Sequence, residues 1–274
     1  MSSRTPSAIT GSPEAGTAVD DVRPRLRFWH EVIYTGLFYG LYSLVRNLQG
    51  SAREAHVQAL TNAERVIGAE RLIGMWHEES IQEVFLHSRL FIQFLNTWYG
   101  VAHFVVTIWA MVWCFRVMPE RYRAVRNGLA LITGMALIGF AFFPLLPPRL
   151  LPTSYGFVDT LRVFGGPWSF DSGPMSKVSN QYAAMPSLHF AWASWSTATF
   201  WPWATTRWRK AVLILYPLLT LFAIVVTANH YSLDALGGFV TFLIGSWLGL
   251  VLVRVDVVGR ARARKRMAAA QKIE

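Results

Sequence analysis

The sequence predicts an all-α polytopic membrane protein: a bundle of six transmembrane helices with an extra amphipathic helix at the membrane interface. Three observations predict it. Hydrophobic residues make up 53% of the 274 residues and charged ones only 15%, with 12 Trp and 18 Phe, a balance too apolar for an ordinary soluble domain. Apolar runs recur at 28–48, 90–115, 127–146, 188–204, 211–228 and 233–253, each near the roughly 20 residues that carry a helix across a bilayer. Lys and Arg gather in alternate connecting segments, as expected where basic residues are retained on the cytoplasmic side.

Residues 1–27 are rich in Ser, Thr, Pro, Ala and Gly and read as a disordered cytoplasmic tail. The run at 28–48 follows Arg23, Arg25 and Arg27 and imitates a secretory signal; its length and the lack of a small-residue cleavage site favour a retained helix. From 50 to 89 the chain turns polar, yet Val57, Leu60, Val66, Ile67, Leu72, Ile73 and Trp76 recur at roughly helical spacing, the pattern of a helix lying on the membrane surface. Glu64, Glu70, Glu78 and Glu79 are read as its solvated face.

With both termini cytoplasmic, the inside receives Arg23, Arg25 and Arg27, then Arg116, Arg121, Arg123 and Arg126, then Arg207, Arg209 and Lys210, and last the basic segment from Arg254. The net charge of +10 is thereby read as membrane orientation, with no nucleic-acid partner. The expected organisation is a membrane catalytic domain over 28–254 and a basic cytoplasmic tail over 255–274. The single cysteine, Cys114, excludes an intramolecular disulfide and a Cys-based metal cluster. No glycine-rich nucleotide loop or metal-type carboxylate cluster is present, so neither cofactor nor metal is expected.

The chemistry concentrates where apolar runs meet the extracytoplasmic side. In Asn229-His230-Tyr231-Ser232-Leu233-Asp234, the histidine and aspartate stand four apart, so on a helix the carboxylate reaches an imidazole nitrogen. Such a partner fixes the tautomer and raises the basicity of the ring, making His230 a nucleophile or base. A second histidine, His189, follows the Pro186-Ser187 turn. Arg149, in a proline-rich segment from Pro144 to Pro152, is by itself explained as an interfacial arginine bonded to lipid headgroups; beside a pair of histidines its guanidinium suits a phosphate. On the second run Asn96, Tyr99 and His103 are spaced to share one face. An ionisable side chain this deep is costly unless paired or facing a cavity, so His103 is either functional or a hydrogen-bonding link between helices. The long aromatic loop from Thr153 to Ala183 has the length of a lid or binding segment. Lys177, Asn180 and Tyr182 at its end are further candidate donors, with Lys177 equally explained as solvated.

Three blocks carry a family resemblance: Pro147-Pro148-Arg149, Ala183-Ala184-Met185-Pro186-Ser187-Leu188-His189, and Asn-His-Tyr-x-x-Asp-x-x-Gly from Asn229 to Gly237. Together they resemble the signature of the type 2 phosphatidic acid phosphatase superfamily, and most of all its inositol phosphorylceramide synthase branch. The likeness covers about Glu64 to Val253. It implies a phosphohistidine intermediate, with His230 as nucleophile, Asp234 activating it, His189 protonating the leaving group and Arg149 binding phosphate. Ser187 and Asn229, inside the second and third blocks, are further phosphate-binding candidates. Tyr99, His103, Lys177, Asn180 and Tyr182 are the candidate substrate-binding residues. Two departures set the chain apart from the phosphatase branch: Phe142 and Ile224 stand where that branch has a lysine and an arginine.

The expected function is therefore an integral membrane phosphoesterase or phosphotransferase acting on a lipid phosphate or phosphodiester, with an alcohol as acceptor if the headgroup is transferred. Transfer is favoured over hydrolysis, and the alternative is a lipid phosphate or polyprenyl (pyro)phosphate phosphatase. A reading of another class, a transporter relaying protons through His103, His230 and Asp234, lacks an inverted repeat.

Overall fold

The computed structural model describes residues 52–165 and 182–270, together with Trp29, Val32, Ile33, Gly36 and Gly40 of the first apolar run, which are helical. The rest of that run and the expected N-terminal tail lie outside the described residues. Among the described residues the chain is all-helical and contains no strand; its closest approach to one is an isolated parallel bridge between Leu145 and Ala183.

We number the helices α1 (Ala52–Leu72), α2 (Glu78–Phe85), α3 (Arg89–Thr97), α4 (His103–Val117), α5 (Pro119–Phe142), α6 (Thr160–Val163), α7 (Leu188–Phe200), α8 (Arg207–Val226) and α9 (Ser232–Ala270). A π-helical turn over Trp98–Ala102 joins α3 to α4. Among the described residues, four segments are long and apolar enough to cross a membrane: Arg89–Val117, Pro119–Phe142, Arg207–Val226 and Ser232–Gly259. Between 22% and 33% of their most apolar windows is buried inside the chain, so most of this apolar surface faces outward. Trp109, Leu215 and Trp247 are each about 60% exposed. Water would penalise such a surface and lipid would not, so these helices belong in a membrane. The apolar run at 188–204 forms a helix of 13 residues, α7, and then a 3-10 turn over Trp201–Trp203, so it is not among the four.

Close helix contact is built from small residues. Glycines of α9 meet α5 directly: a Cβ added at Gly249 would stand 2.6 Å from the backbone nitrogen of Gly128. Phe143 closes α5, and Pro147 holds the chain extended before a 3-10 turn over Pro148–Leu150.

The amphipathic segment is two helices, and part of its apolar stripe, Leu60, Val66, Ile67 and Trp76, is packed against protein while Val57, Leu72 and Ile73 stay exposed. Ala59, Ala63, Val66 and Ile67 of α1 join Leu145, Leu146, Leu151, Ala184 and Tyr231 in one buried cluster. The expectation that its four acidic residues form a solvated face holds for exposed Glu64 alone. Glu79 is half-buried, and Glu70 and Glu78 are 0% exposed. The reason is physical: both carboxylates find backbone amides at the start of α9, so they are buried with partners.

Candidate active site

The helix α8 ends at Val226, and the chain turns through Ala228, whose φ of 52° is left-handed. The Ile224 carbonyl closes this turn by accepting from the backbone N–H groups of both Asn229 and His230. Residue 224 thus serves the site through its backbone, where the phosphatase branch uses a charged side chain. Phe142, the other departure, is 80% exposed at the end of α5.

His230 sits just before α9 and Asp234 in its first turn. The carboxylate Oδ2 lies 3.3 Å from His230 Nδ1 and also accepts the Tyr231 N–H at 3.0 Å. Both side chains are buried, with Asp234 0% exposed. An ionised carboxylate only accepts hydrogen bonds, so it places the ring proton on Nδ1 and leaves Nε2 with a free lone pair. That lone pair points at the second histidine: His230 Nε2 is 3.3 Å from His189 Nδ1. Asp234 Oδ1 is buried without a hydrogen-bond partner.

His189 lies one residue inside α7. Ser187 caps this helix, its hydroxyl accepting the Phe190 N–H, and its own N–H donates to the Asp234 carbonyl at 2.9 Å. Here sequence reasoning missed Gly238. A Cβ at that position would collide with the Ser187 carbonyl oxygen, so the glycine lets α9 lie directly on the turn that presents His189. Ser187 is 0% exposed, and its bonds tie the two histidine blocks together.

Arg149 is fixed from both directions. Its backbone N–H donates to the Ala228 carbonyl at 2.8 Å, its Nε–H to Asn229 Oδ1 at 3.0 Å, and an Nη1–H to Asp159 Oδ2 at 3.1 Å. Asn229 in turn donates to Thr227 Oγ1 at 2.7 Å. The phosphate-binding candidates Arg149 and Asn229 are therefore joined. Asp159, which the sequence analysis did not single out, caps α6 by accepting the Arg162 N–H; an Asp before a helical turn is the signal that marks it.

Tyr99 and His103 gather round His189. The Tyr99 ring stacks on it with centroids 4.3 Å apart, and the His103 ring meets it at 4.2 Å. His103 Nδ1 donates to the Tyr99 carbonyl at 2.9 Å. Asn96, expected on the same face, does something else: its amide donates to the Thr160 and Gly165 carbonyls, and its Oδ1 accepts the Thr160 hydroxyl. The intervening π-helical turn changes the register that the sequence spacing assumed.

The described half of the long loop is held down. Gln82 donates to the Val158 carbonyl and accepts its N–H, and Gln93 donates to the Phe164 carbonyl. Tyr155 and Phe157 pack on the buried cluster around Tyr231. Tyr182 pairs instead with His56, hydroxyl to Nδ1 at 3.3 Å. Lys177 and Asn180 lie outside the described residues. Among the described residues no group of three or more His, Cys, Asp or Glu side chains is placed to hold a metal ion.

The structure thus places an Asp–His–His chain in a helical membrane protein and joins it, through Asn229, to an arginine held from two sides. A family model described as the PAP2 superfamily matches residues 64–248, and the chain belongs to that superfamily. Membership points to a phosphatase- or phosphotransferase-type function. No curated protein and no solved structure matches the chain.

Proposed function

We propose that this protein is an integral membrane phosphotransferase acting on a lipid phosphate or phosphodiester through a phosphohistidine at His230. The observation that carries the proposal is the buried chain Asp234–His230–His189, with contacts of 3.3 Å at each step. In the first half-reaction His230 Nε2 attacks phosphorus, the bond from phosphorus to the leaving oxygen breaks, and His189 supplies that oxygen with a proton. Asp234 stabilises the positive charge that develops on the His230 ring. In the second, an alcohol or water attacks the phosphohistidine, its proton passes to His189, and the P–N bond breaks. Arg149 binds the phosphoryl oxygens through two parallel N–H bonds, oriented by Asn229.

Headgroup transfer to an alcohol is the favoured second half-reaction. Its support is the likeness of the Pro147-Pro148-Arg149 and Asn229-to-Gly237 blocks to the inositol phosphorylceramide synthase branch. We further assign six spans, counting the run at 28–48 and α7, with α1 and α2 at the membrane interface. Both termini are cytoplasmic and the site is extracytoplasmic. The basic segments at 116–126, 207–210 and from Arg254 support this orientation. Catalysis uses no metal, because two histidines and an arginine supply the nucleophile, the acid and the charge that a metal would otherwise provide.

The test is to incubate the purified protein in lipid with a labelled lipid phosphate or phosphodiester donor, with and without alcohols such as inositol, and to follow both products. Acceptor-dependent formation of a new lipid phosphodiester is expected. Phosphate release indifferent to every alcohol would make the protein a lipid phosphatase instead.

A further inference from the structure

Two carboxylates outside the reacting group are buried against the start of α9. Glu78 Oε1 accepts both the backbone N–H and the hydroxyl of Ser232, the former at 3.0 Å. Glu70 Oε1 accepts the Leu233 N–H at 2.8 Å. The first N–H groups of a helix have no partner within it and are ordinarily satisfied by the residue just before. Here the acceptors come from α1 and from the start of α2, 163 and 154 residues away in sequence. The three amides that follow His230 therefore end on three different carboxylates: Tyr231 on Asp234, Ser232 on Glu78 and Leu233 on Glu70.

Burying three carboxylates together is costly, and a local cap would satisfy the same amides without that cost. What the arrangement adds is position. The backbone turn from His230 to Asp234 is held from outside, by side chains on helices that carry none of the reacting groups. We propose that Glu70 and Glu78 are positioning residues for the His230–Asp234 pair, clamping the first turn of α9 so that Oδ2 stays on Nδ1 and Nε2 keeps its place beside His189. This rests on the phosphoryl-transfer reading given above.

Electrostatics supports the clamp. Burial, then the charges of Glu78 and Asp234, push the Glu70 carboxyl up to about 8, although the Leu233 amide works against this. Its Oε2 is buried with no hydrogen-bond partner, so nothing there stabilises a negative charge. Above about pH 8 the Glu70 charge appears, facing Glu78, Asp234 and the Tyr231 hydroxyphenyl ring, with His230 behind Asp234. The field on the histidine pair changes at that point.

The experiment compares Glu78→Ala, which removes the acceptor for Ser232, with Glu70→Gln and, as a control at an exposed site, Glu64→Gln. Each is assayed in lipid for kcat and KM across pH. Hydrogen exchange of the 228–238 segment is followed in the same samples and needs no turnover. Glu78→Ala is expected to lower kcat by about 100-fold with KM near wild type, and to speed exchange in that segment. Glu70→Gln keeps an acceptor for Leu233, so turnover at pH 7 persists while the inflection near pH 8 disappears. Glu64→Gln changes neither. Wild-type kcat, exchange and pH profile in both inner variants would overturn the proposal. Should Glu78→Ala fail to fold, Glu70→Ala, which removes the acceptor for Leu233, decides by the same readouts. If the wild-type protein transfers no phosphoryl group, the phosphoryl-transfer reading falls, and exchange at 228–238 still decides whether the clamp exists.

Discussion

Asn229 Oδ1 accepts the Nε–H of Arg149 at 3.0 Å, so the residue immediately before His230 also orients the guanidinium. His230 and Arg149, the proposed nucleophile and anion site, are thus set by one backbone turn, the one closed by the Ile224 carbonyl. On its other side the guanidinium meets Asp159 at 3.1 Å. A phosphate arriving at Arg149 competes with that carboxylate.

Substitutions at the anion site follow from this arrangement. Arg149→Lys keeps the charge but loses the planar fork, and kcat/KM should fall by about 100-fold. Asp159→Asn removes the competing charge, so KM for the phosphate donor should drop while kcat stays within about threefold. Steady-state kinetics on both variants checks the pair of outcomes, and an unchanged KM in Asp159→Asn would remove the carboxylate from the binding equilibrium.

The catalytic chain should behave as one unit. His230→Ala, His189→Ala and Asp234→Asn are each expected to lower turnover by about 1,000-fold or more. A double variant should be little worse than the weakest single. The phosphoenzyme should be trapped in wild type and absent from His230→Ala, by quench of a labelled reaction. A labelled intermediate in that variant would move the nucleophile to another residue.

Gly238 offers a test of packing without touching a reacting group. Gly238→Ala forces a methyl onto the Ser187 carbonyl, an overpacking that costs about 1–3 kcal/mol. Thermal unfolding in detergent should show the lowered midpoint. Activity should fall with it, because the same turn presents His189.

Glu70 also makes a prediction about stability. Its carboxyl rises from an ordinary 4.5 to about 8 in the fold, so the folded state binds the proton more tightly than the unfolded state. The contribution is fully present below pH 4.5 and is lost as pH rises through about 8. Wild type should therefore unfold at a lower temperature at pH 9 than at pH 7, and Glu70→Gln should flatten that difference. Equal wild-type midpoints at the two pH values would contradict the raised carboxyl.

Orientation is open to chemical labelling. In a Cys114→Ala background, Ser154→Cys places a thiol on an exposed residue of the loop after Arg149. An impermeant reagent added outside intact cells should modify it. Labelling only after lysis would put the site on the cytoplasmic face.

What the sequence determined by itself was local or compositional. Four of the apolar runs announced helices long enough to span a membrane, because a bilayer demands a continuous length of apolar side chains. The His230–Asp234 pair was legible because four residues are about one helical turn, and the Pro144-to-Pro152 segment because proline ends helices wherever it falls. The tertiary structure decided everything that joins distant segments. Glu70 and Glu78 read as solvated because acidic residues on an amphipathic helix ordinarily face water; only the fold brings the start of α9 to them. Asn96 left the face of Tyr99 and His103 because a π-helical turn, invisible in the spacing, intervenes. Gly238 needed the Ser187 carbonyl to be in place before its missing side chain meant anything. Spacing fixes neighbours along a helix, whereas a buried polar group is satisfied by whatever partner the packing delivers, and that partner has no sequence signature of its own.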